Sequence, residues 1–186
     1  MASQVFEHSN PDRFIVGTVG LPGDRTFYLQ AKSESRVTTV KLEKEQVEML
    51  SERMAELLDM VRAKTLAVDE IPATALHRHY YNAVLSMPVD PEFRVGTMSL
   101  GWDTGLSRLL VECYELSQAD AESGITADPD DDERAVFKVV LSGAQAREFS
   151  RRADQVVGAG REDCPFCSLP LDPGGHLCPR ANGVAR

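Results

Sequence analysis

The sequence predicts an α+β protein built from two tandem βββα units with pseudo-two-fold symmetry, forming antiparallel sheet packed by helices, followed by a short C-terminal tail. Three observations predict it: a strand motif occurs twice, an amphipathic helix pattern occurs twice in one register, and three of the four cysteines cluster near the chain end. The expected division is 1–63 for the first unit, 64–92 for a linker or insert, 93–158 for the second unit and 159–186 for the tail.

Composition narrows the class of protein. The 186 residues are 42% hydrophobic and 26% charged, which is typical of a soluble globular chain with a buried core. The formal net charge of -9 disfavours general affinity for nucleic acid or anionic membranes. No apolar run is long enough to span a membrane, and residues 1–10 lack the pattern of a secretory signal. We therefore expect a cytoplasmic protein.

The strands of the two units correspond one to one. The first strand reads Phe-Ile-Val-Gly-Thr-Val at 14–19 and Phe-Arg-Val-Gly-Thr-Met at 93–98. Turn residues follow it in each unit, at 21–24 and at 103–105. The later strands are expected at 26–31 and 36–42 in the first unit and at 109–116 and 135–141 in the second, where most extra residues fall in the acidic loop 118–133. We interpret its acidic block, 128–133, as a solvated loop rather than a cation or partner site.

Each third strand leads into a helix with one apolar face. Ser142 and Gln145 predict a capping box at the start of the second helix. Glu43 takes the place of the serine in the first helix, where its charge favours the helix dipole. The matched apolar positions are Val47, Leu50, Met54, Leu57 and Leu58 in the first helix and Ala146, Phe149, Ala153, Val156 and Val157 in the second, with matched polar pairs Gln46 and Gln145, Ser51 and Ser150, and Arg53 and Arg152.

Neither three-stranded unit buries much by itself, so the two units are expected to pack together. We prefer a joined six-stranded sheet or half-barrel with both helices on one side. The alternative is that the two units face each other. Between them, 64–92 contains Pro88 and Pro91, so it is either a connecting helix with a proline-rich exit or an extended linker.

The tail contains four candidate metal ligands. Its Cys-Pro-Phe-Cys turn at 164–167 presents two thiolates to one point, and the turn at 172–175 returns a second pair. Four nitrogen and sulfur ligands are what a structural zinc ion prefers, and a segment with almost no core needs a metal to become ordered. We therefore predict a zinc-ribbon-like tail in which Zn²⁺ is held by Cys164, Cys167, His176 and Cys178.

Two alternatives stay open at this site. One residue separates His176 from Cys178, where two or more are usual, and a free His176 would leave an open position on the metal. A redox dithiol of Cys164 and Cys167 is the other alternative, although the strand-then-helix context of a thioredoxin-like motif is missing. A closed four-ligand shell has no water to activate, so we interpret the zinc as structural, with the role of fixing Arg180, Asn182 and the nearby backbone.

The repeated Phe-x-Val-Gly-Thr motif and the tail together resemble an actinobacterial family of conserved repeat proteins with a domain of unknown function. The similarity extends over the full chain. It is most specific at 93–103 and in the Cys-Pro-x-Cys…His-x-Cys-Pro tail at 164–183. The resemblance implies a cytoplasmic bacterial protein and implies no activity.

Several side chains outside the tail are candidates for a site. His77 and His79 would share a face on a strand and could bind metal or act as acid and base, but surface or interface packing is preferred because no carboxylate lies nearby in sequence. Trp102, with Asp103 at a hairpin tip, either anchors a partner or closes the sheet end. We interpret Cys113 as a small buried apolar residue.

Arginines near strand ends form a second group. Arg25, Arg36 and Arg108 are near strand ends, with Arg25 and Arg108 equivalent across the repeat, so a cleft with paired arginines could hold a phosphate or carboxylate. Ion pairs with the protein's own carboxylates explain them equally well. The repeated Gly17 and Gly96 lack the context of a phosphate loop and are interpreted as bulges or close-packing points.

We favour a protein-binding or adaptor module with a structural zinc, whose partner is another protein. The alternative is a small-molecule or phosphoryl-ligand enzyme that uses His77, His79 and arginines in a cleft between the two repeats. Nucleic-acid binding would use Arg161, Arg180 and Arg186, but the tail also carries acidic residues and is not basic.

Overall fold

The computed structural model describes residues 4–64, 71–76, 84–116, 134–160, 164–167, 171, 178 and 180. Two sheets and two helices form within these ranges, in agreement with the α+β class expected from the sequence. In chain order the elements are β1 (Val5–Ser9), β2 (Arg13–Val19), β3 (Thr26–Ser33), β4 (Arg36–Leu42), α1 (Lys44–Lys64), β5 (Val95–Asp103), β6 (Arg108–Glu115), β7 (Val136–Leu141) and α2 (Gly143–Gly158).

The preferred single six-stranded sheet is wrong, because the strands form two sheets. One is the antiparallel meander β2-β3-β4, and the other has the order β1-β7-β6-β5. The outer edge of β7 is occupied by β1, which pairs with it in parallel, so the larger sheet is mixed. The outer edge of β4 is occupied by the residues before β5, since Glu92 N donates to Thr39 O at 2.9 Å and Lys41 N donates to Phe93 O at 3.0 Å. Neither edge is therefore available for joining the two meanders.

The predicted turns agree with the structure, and the strands bury one face. Asp24 N donates to Leu21 O at 2.9 Å and closes the first hairpin. The Asp103 carboxylate accepts from Gly105 N at 2.8 Å and Leu106 N at 2.9 Å in the second hairpin. Inward-facing side chains alternate along the strands, as shown by Phe27, Leu29 and Ala31 in β3 and by Phe137, Val139 and Leu141 in β7.

The capping box at the start of α2 is confirmed. Gln145 N donates to Ser142 Oγ at 3.2 Å, and Ser142 N donates to Gln145 Oε1 at 2.9 Å. Helix α1 has the second of these two hydrogen bonds, in which the glutamine side chain accepts from the backbone before the helix: Glu43 N donates to Gln46 Oε1 at 2.9 Å. Helix α2 ends at Gly158, which is also the last residue of the predicted second unit.

Each helix contacts the first strand of the other half of the chain. Helix α1 packs against α2 and β5, and α2 packs against β2, where the rings of Phe14 and Phe149 lie 4.7 Å apart. At the helix contact, Ser51 Oγ donates to Ser150 O at 3.2 Å and Ser150 Oγ donates to Ser51 O at 3.3 Å. Both sheets and both helices contribute to one continuous core cluster.

The described parts of 64–92 contact α2 and the smaller sheet. Arg147 Nε donates to Pro72 O at 3.0 Å. Ser86 N donates to the buried Gln30 Oε1 at 2.8 Å. These contacts fix the segment to the second helix and to the smaller sheet.

Candidate metal centre

Cys164, Cys167 and Cys178 lie together in the tail. Their Sγ atoms all lie within 4.8 Å of one another, and the Sγ atoms of Cys164 and Cys178 are 3.8 Å apart. Cys164 is buried and Cys167 is partly exposed. The Cys-Pro-Phe-Cys turn supplies two of the thiols, and the chain returns to bring the third.

The backbone around the turn favours thiolate at Cys164. Burial by itself raises the pKa of this thiol, but hydrogen bonds from the N–H groups of Phe166 and Cys167 and from the thiols of Cys167 and Cys178 outweigh burial, so the pKa lies below its usual value. The thiolate is the form of cysteine that binds metals.

The sulfur separation fits a tetrahedral metal. Sulfur ligands about 2.3 Å from a tetrahedral zinc ion lie about 3.8 Å from each other, which matches the 3.8 Å between the Cys164 and Cys178 sulfurs. A disulfide would need about 2.05 Å. The three cysteines could therefore bind a metal ion, and the predicted fourth ligand, His176, lies outside the described residues.

One further contact connects the two arms of the tail. Arg180 Nη1 donates to Phe166 O at 3.3 Å, which attaches this side chain to the cysteine turn. Arg161 and Arg186, which were considered for nucleic-acid binding, lie outside the described residues.

The other predicted candidates do not form a polar site in the described part of the chain. His77, His79 and the acidic block 128–133 lie outside it. Trp102 is partly buried and packs against the core cluster, as expected for a residue that closes the sheet end. Asp103 accepts hydrogen bonds from its own hairpin.

The strand-end arginines bind three separate stretches of main chain. Arg25 donates to two carbonyls at the end of α2, at 3.1 and 3.3 Å, and lies over the ring of Phe27. Arg108 donates to carbonyls of its own hairpin, and Arg36 donates to Glu7 O. Among described residues no contact brings two of these arginines together, so they do not supply the paired-arginine cleft of the enzyme alternative.

Cys113 and the repeated glycines have structural roles. Cys113 is fully buried in the core, and burial, with a smaller effect of Glu112, raises its pKa to about 12. A Cβ at Gly17 would lie 2.6 Å from Leu85 Cγ, which confirms close packing at this position. Gly96 lies in the irregular stretch of β5 between its paired residues 95 and 98, which confirms a bulge.

A buried histidine was missed by sequence reasoning. His8 has no exposed surface, and its Nδ1 and Nε2 lie 2.7 Å from Ser33 Oγ and 2.9 Å from Thr38 Oγ1. Its ring meets Phe137 edge-on. Burial, assisted by the charge of Arg36, lowers the pKa of His8 to about 4. The neutral ring thus connects β1 to the smaller sheet. No local pattern predicts this burial, because the residues on either side of His8 are polar.

An apolar groove was also missed. It lies between α1 and β5 and has a volume of ≈ 540 Å³. Met49 and Met60 stand on its α1 side and are 55% and 51% exposed, while Met98 and Leu100 contribute from β5. A second cavity, of ≈ 400 Å³, lies on the outer face of the larger sheet and has side chains of both charges on its walls.

The fold and the cysteine cluster define an α+β protein with a candidate metal site in its C-terminal tail. The chain belongs to the family described as Protein of unknown function (DUF3090), whose profile matches residues 6–178. This match confirms the resemblance to a domain of unknown function, and the actinobacterial origin stays an expectation. No curated protein and no solved structure matches the chain. Neither described helix combines the length and apolar character needed to cross a membrane.

Proposed function

We propose that the protein is a protein-binding or adaptor module whose tail is stiffened by one structural zinc ion. The observation that carries the proposal is the convergence of three thiols, whose Sγ atoms lie within 4.8 Å of one another. His176 supplies the fourth ligand. A closed tetrahedral shell has no position for a reactive water, so the zinc orders the tail and does not catalyse a reaction.

We also propose that the body of the protein is a duplicated βββα unit, with copies at 1–63 and 93–158. The order β2-β3-β4-α1 recurs as β5-β6-β7-α2. The two hydrogen bonds between Ser51 and Ser150 are reciprocal, as a two-fold axis between the helices requires. In this arrangement each unit is followed by a segment that leaves its helix, 64–92 in the first unit and 159–186 in the second. The two segments differ in sequence because only the second binds the metal.

The proposed partner is another protein rather than a nucleic acid. The net charge of -9 opposes binding to a phosphate backbone. The exposed methionines of the groove offer apolar contact area of the kind that proteins use for recognition. The proposed location is the cytoplasm, whose reducing conditions keep cysteine thiolates available for metal.

Metal analysis tests the zinc. Protein purified without chelator should contain one zinc per chain by inductively coupled plasma mass spectrometry, and Cys178→Ser should lose most of it. Cys113→Ser is the matched control, because Cys113 is buried in the core away from the tail cluster, and it should keep its zinc. Metal-free wild-type protein, or equal losses in the two variants, would refute the zinc assignment.

Affinity purification tests the adaptor role. The tagged full chain should recover a stoichiometric protein partner from native extract, and Cys164→Ser should recover less of it if the ordered tail contributes to binding. Recovery of no stoichiometric partner by the wild-type chain would refute the adaptor role, whatever the metal content.

A further inference from the structure

The groove between α1 and β5, hereafter the α1–β5 groove, has the size and lining of a recognition site. Its volume of ≈ 540 Å³ is within the usual range for binding pockets. Met49 and Met60 are about half exposed although they stand beside apolar side chains of the same groove. Methionine is flexible and polarizable, so such walls adapt to different apolar side chains.

The floor of this groove is an edge strand. β5 is the last strand of its sheet and pairs with β6 on one side. On its outer side, the bridge between Lys41 and Arg94 lies just before β5 begins, and Gln46 Nε2 donates to the carbonyls of Val95 and Gly96. From residue 98 to residue 102, the described part of the chain places no strand on that outer side. An edge of this kind can pair with an added strand.

The chain itself shows how such edges are filled. The segment before β5 hydrogen-bonds to the edge of β4, through Glu92 N and Lys41 N. β1 adds in parallel to the edge of β7. Both added segments are short and extended. One lies at the outer edge of β4 and the other at the outer edge of β7.

The charges on the groove walls favour a neutral occupant. Its charged lining residues are Arg53 and Glu56. Arg53 Nη1 lies 3.0 Å from Glu56 Oε2, so the two charges compensate each other and leave no net charge to attract an anionic ligand. An apolar side chain therefore meets little electrostatic penalty on entering the groove. The outer edge of β5, on which the described residues place no strand from 98 to 102, can hydrogen-bond to the backbone of the occupant.

We propose that the α1–β5 groove binds a short extended segment of a partner protein, which adds a strand to the edge of β5 and places alternating apolar side chains against Met49, Met60 and Met98. This is the mode in which main-chain hydrogen bonds give affinity and side-chain pockets give specificity. The inference rests on the proposed protein-binding function and is independent of the zinc.

A random linear peptide library displayed on phage, selected against the full chain, provides the probe. Selected peptides should carry apolar residues at alternate positions, and their synthetic forms should bind with affinities measurable by fluorescence anisotropy. Met49→Lys should weaken binding about tenfold or more, as expected for losing contact with one methionine side chain. The matched control is Met87→Lys, because Met87 is 76% exposed and does not line the groove, and it should bind like wild type.

Hydrogen exchange separates strand addition from other modes. Bound peptide should slow exchange of amides within residues 98–102 of β5. The inference is overturned if Met49→Lys and Met87→Lys bind equally well, if selected peptides show a helical spacing of apolar residues, or if β5 exchange is unchanged. It is also overturned if sedimentation shows a dimer that Met49→Lys abolishes, since the occupant is then a second copy of the chain.

The groove proposal and the adaptor proposal can fail separately. If the native partner is recovered equally by wild type and Met49→Lys, the adaptor role stands and the groove is not its docking surface. If groove-specific peptides bind but no partner is recovered from extract, the groove binds peptide and the adaptor role is refuted.

Discussion

Replacing His8 by glutamine should remove a pH-dependent part of the stability of the protein. Burial, with a smaller contribution from the charge of Arg36, lowers the pKa of His8 from 6.5 to about 4 in the folded chain. The folded state thus holds the neutral ring, whereas the unfolded chain binds a proton below pH 6.5. The stabilisation is fully present above pH 6.5 and is lost as the pH falls toward 4.

The size of this pH-dependent stabilisation follows from the difference between the folded and unfolded pKa values of His8. Lowering the pKa of His8 from 6.5 to about 4 corresponds to about 3 kcal/mol of unfolding free energy in the acid limit. Between pH 7 and pH 5 the expected loss is about 2 kcal/mol. This is a large part of the stability of a typical domain, which is about 5–15 kcal/mol.

Urea unfolding of wild type and His8→Gln at pH 7, 6 and 5 measures the effect. The variant should be less stable at pH 7, because it loses the hydrogen bonds of the imidazole ring to Ser33 and Thr38. Its free energy of unfolding should nevertheless fall less than that of wild type on acidification. A metal bound by the tail cysteines would be lost from both proteins in acid, so the difference between their pH profiles isolates His8. Parallel profiles, or an imidazole pKa above 6 by nuclear magnetic resonance titration, would refute this reasoning.

Four further substitutions, one of them a control, test close packing, helix capping and the contact between the helices, each by urea unfolding. Gly17→Ala should destabilise the fold by about 1–2 kcal/mol, because the new methyl group would lie 2.6 Å from Leu85 Cγ. Gly101→Ala, which faces open space, should change stability by less than about 0.5 kcal/mol, and equal effects of the two would contradict the close-packing account. Ser142→Ala should cost about 1 kcal/mol through loss of the cap of α2. Ser150→Ala should cost about 1 kcal/mol, since its hydroxyl donates to a buried carbonyl of α1, and an unchanged midpoint would argue against that bond.

Features that depend on neighbouring residues could be predicted from the sequence. The capping box needs a serine and a glutamine three positions apart, and Ser142 and Gln145 provide both. The third strand of the first unit was predicted at 36–42 and lies at Arg36–Leu42. The cysteine cluster was predictable for the same reason, since a Cys-x-x-Cys turn brings two thiols together locally.

Features that depend on distant partners could not be predicted. β1 has one buried residue, His8, and so lacks the apolar alternation that marks a strand. Its position depends on pairing with β7, more than a hundred residues away. The same pairing occupies one of the strand edges through which the two meanders could have joined.

The groove was missed because its existence depends on the spacing between α1 and β5. In the sequence, Met49 and Met60 lie outside the apolar stripe of the helix and resemble ordinary surface residues. In the structure they line the groove whose other wall is formed by residues of β5. Helical periodicity identifies the face that is buried, but it does not show where a helix leaves part of a strand uncovered.

Zinc K-edge X-ray absorption of the full chain, purified without chelator, tests the metal centre most directly. We expect three sulfur ligands at about 2.3 Å and one nitrogen ligand at about 2.0–2.1 Å, with the nitrogen lost in His176→Ala and one sulfur lost in Cys178→Ser. A zinc ion surrounded by oxygen and nitrogen alone, or a sulfur count unchanged by Cys178→Ser, would contradict it.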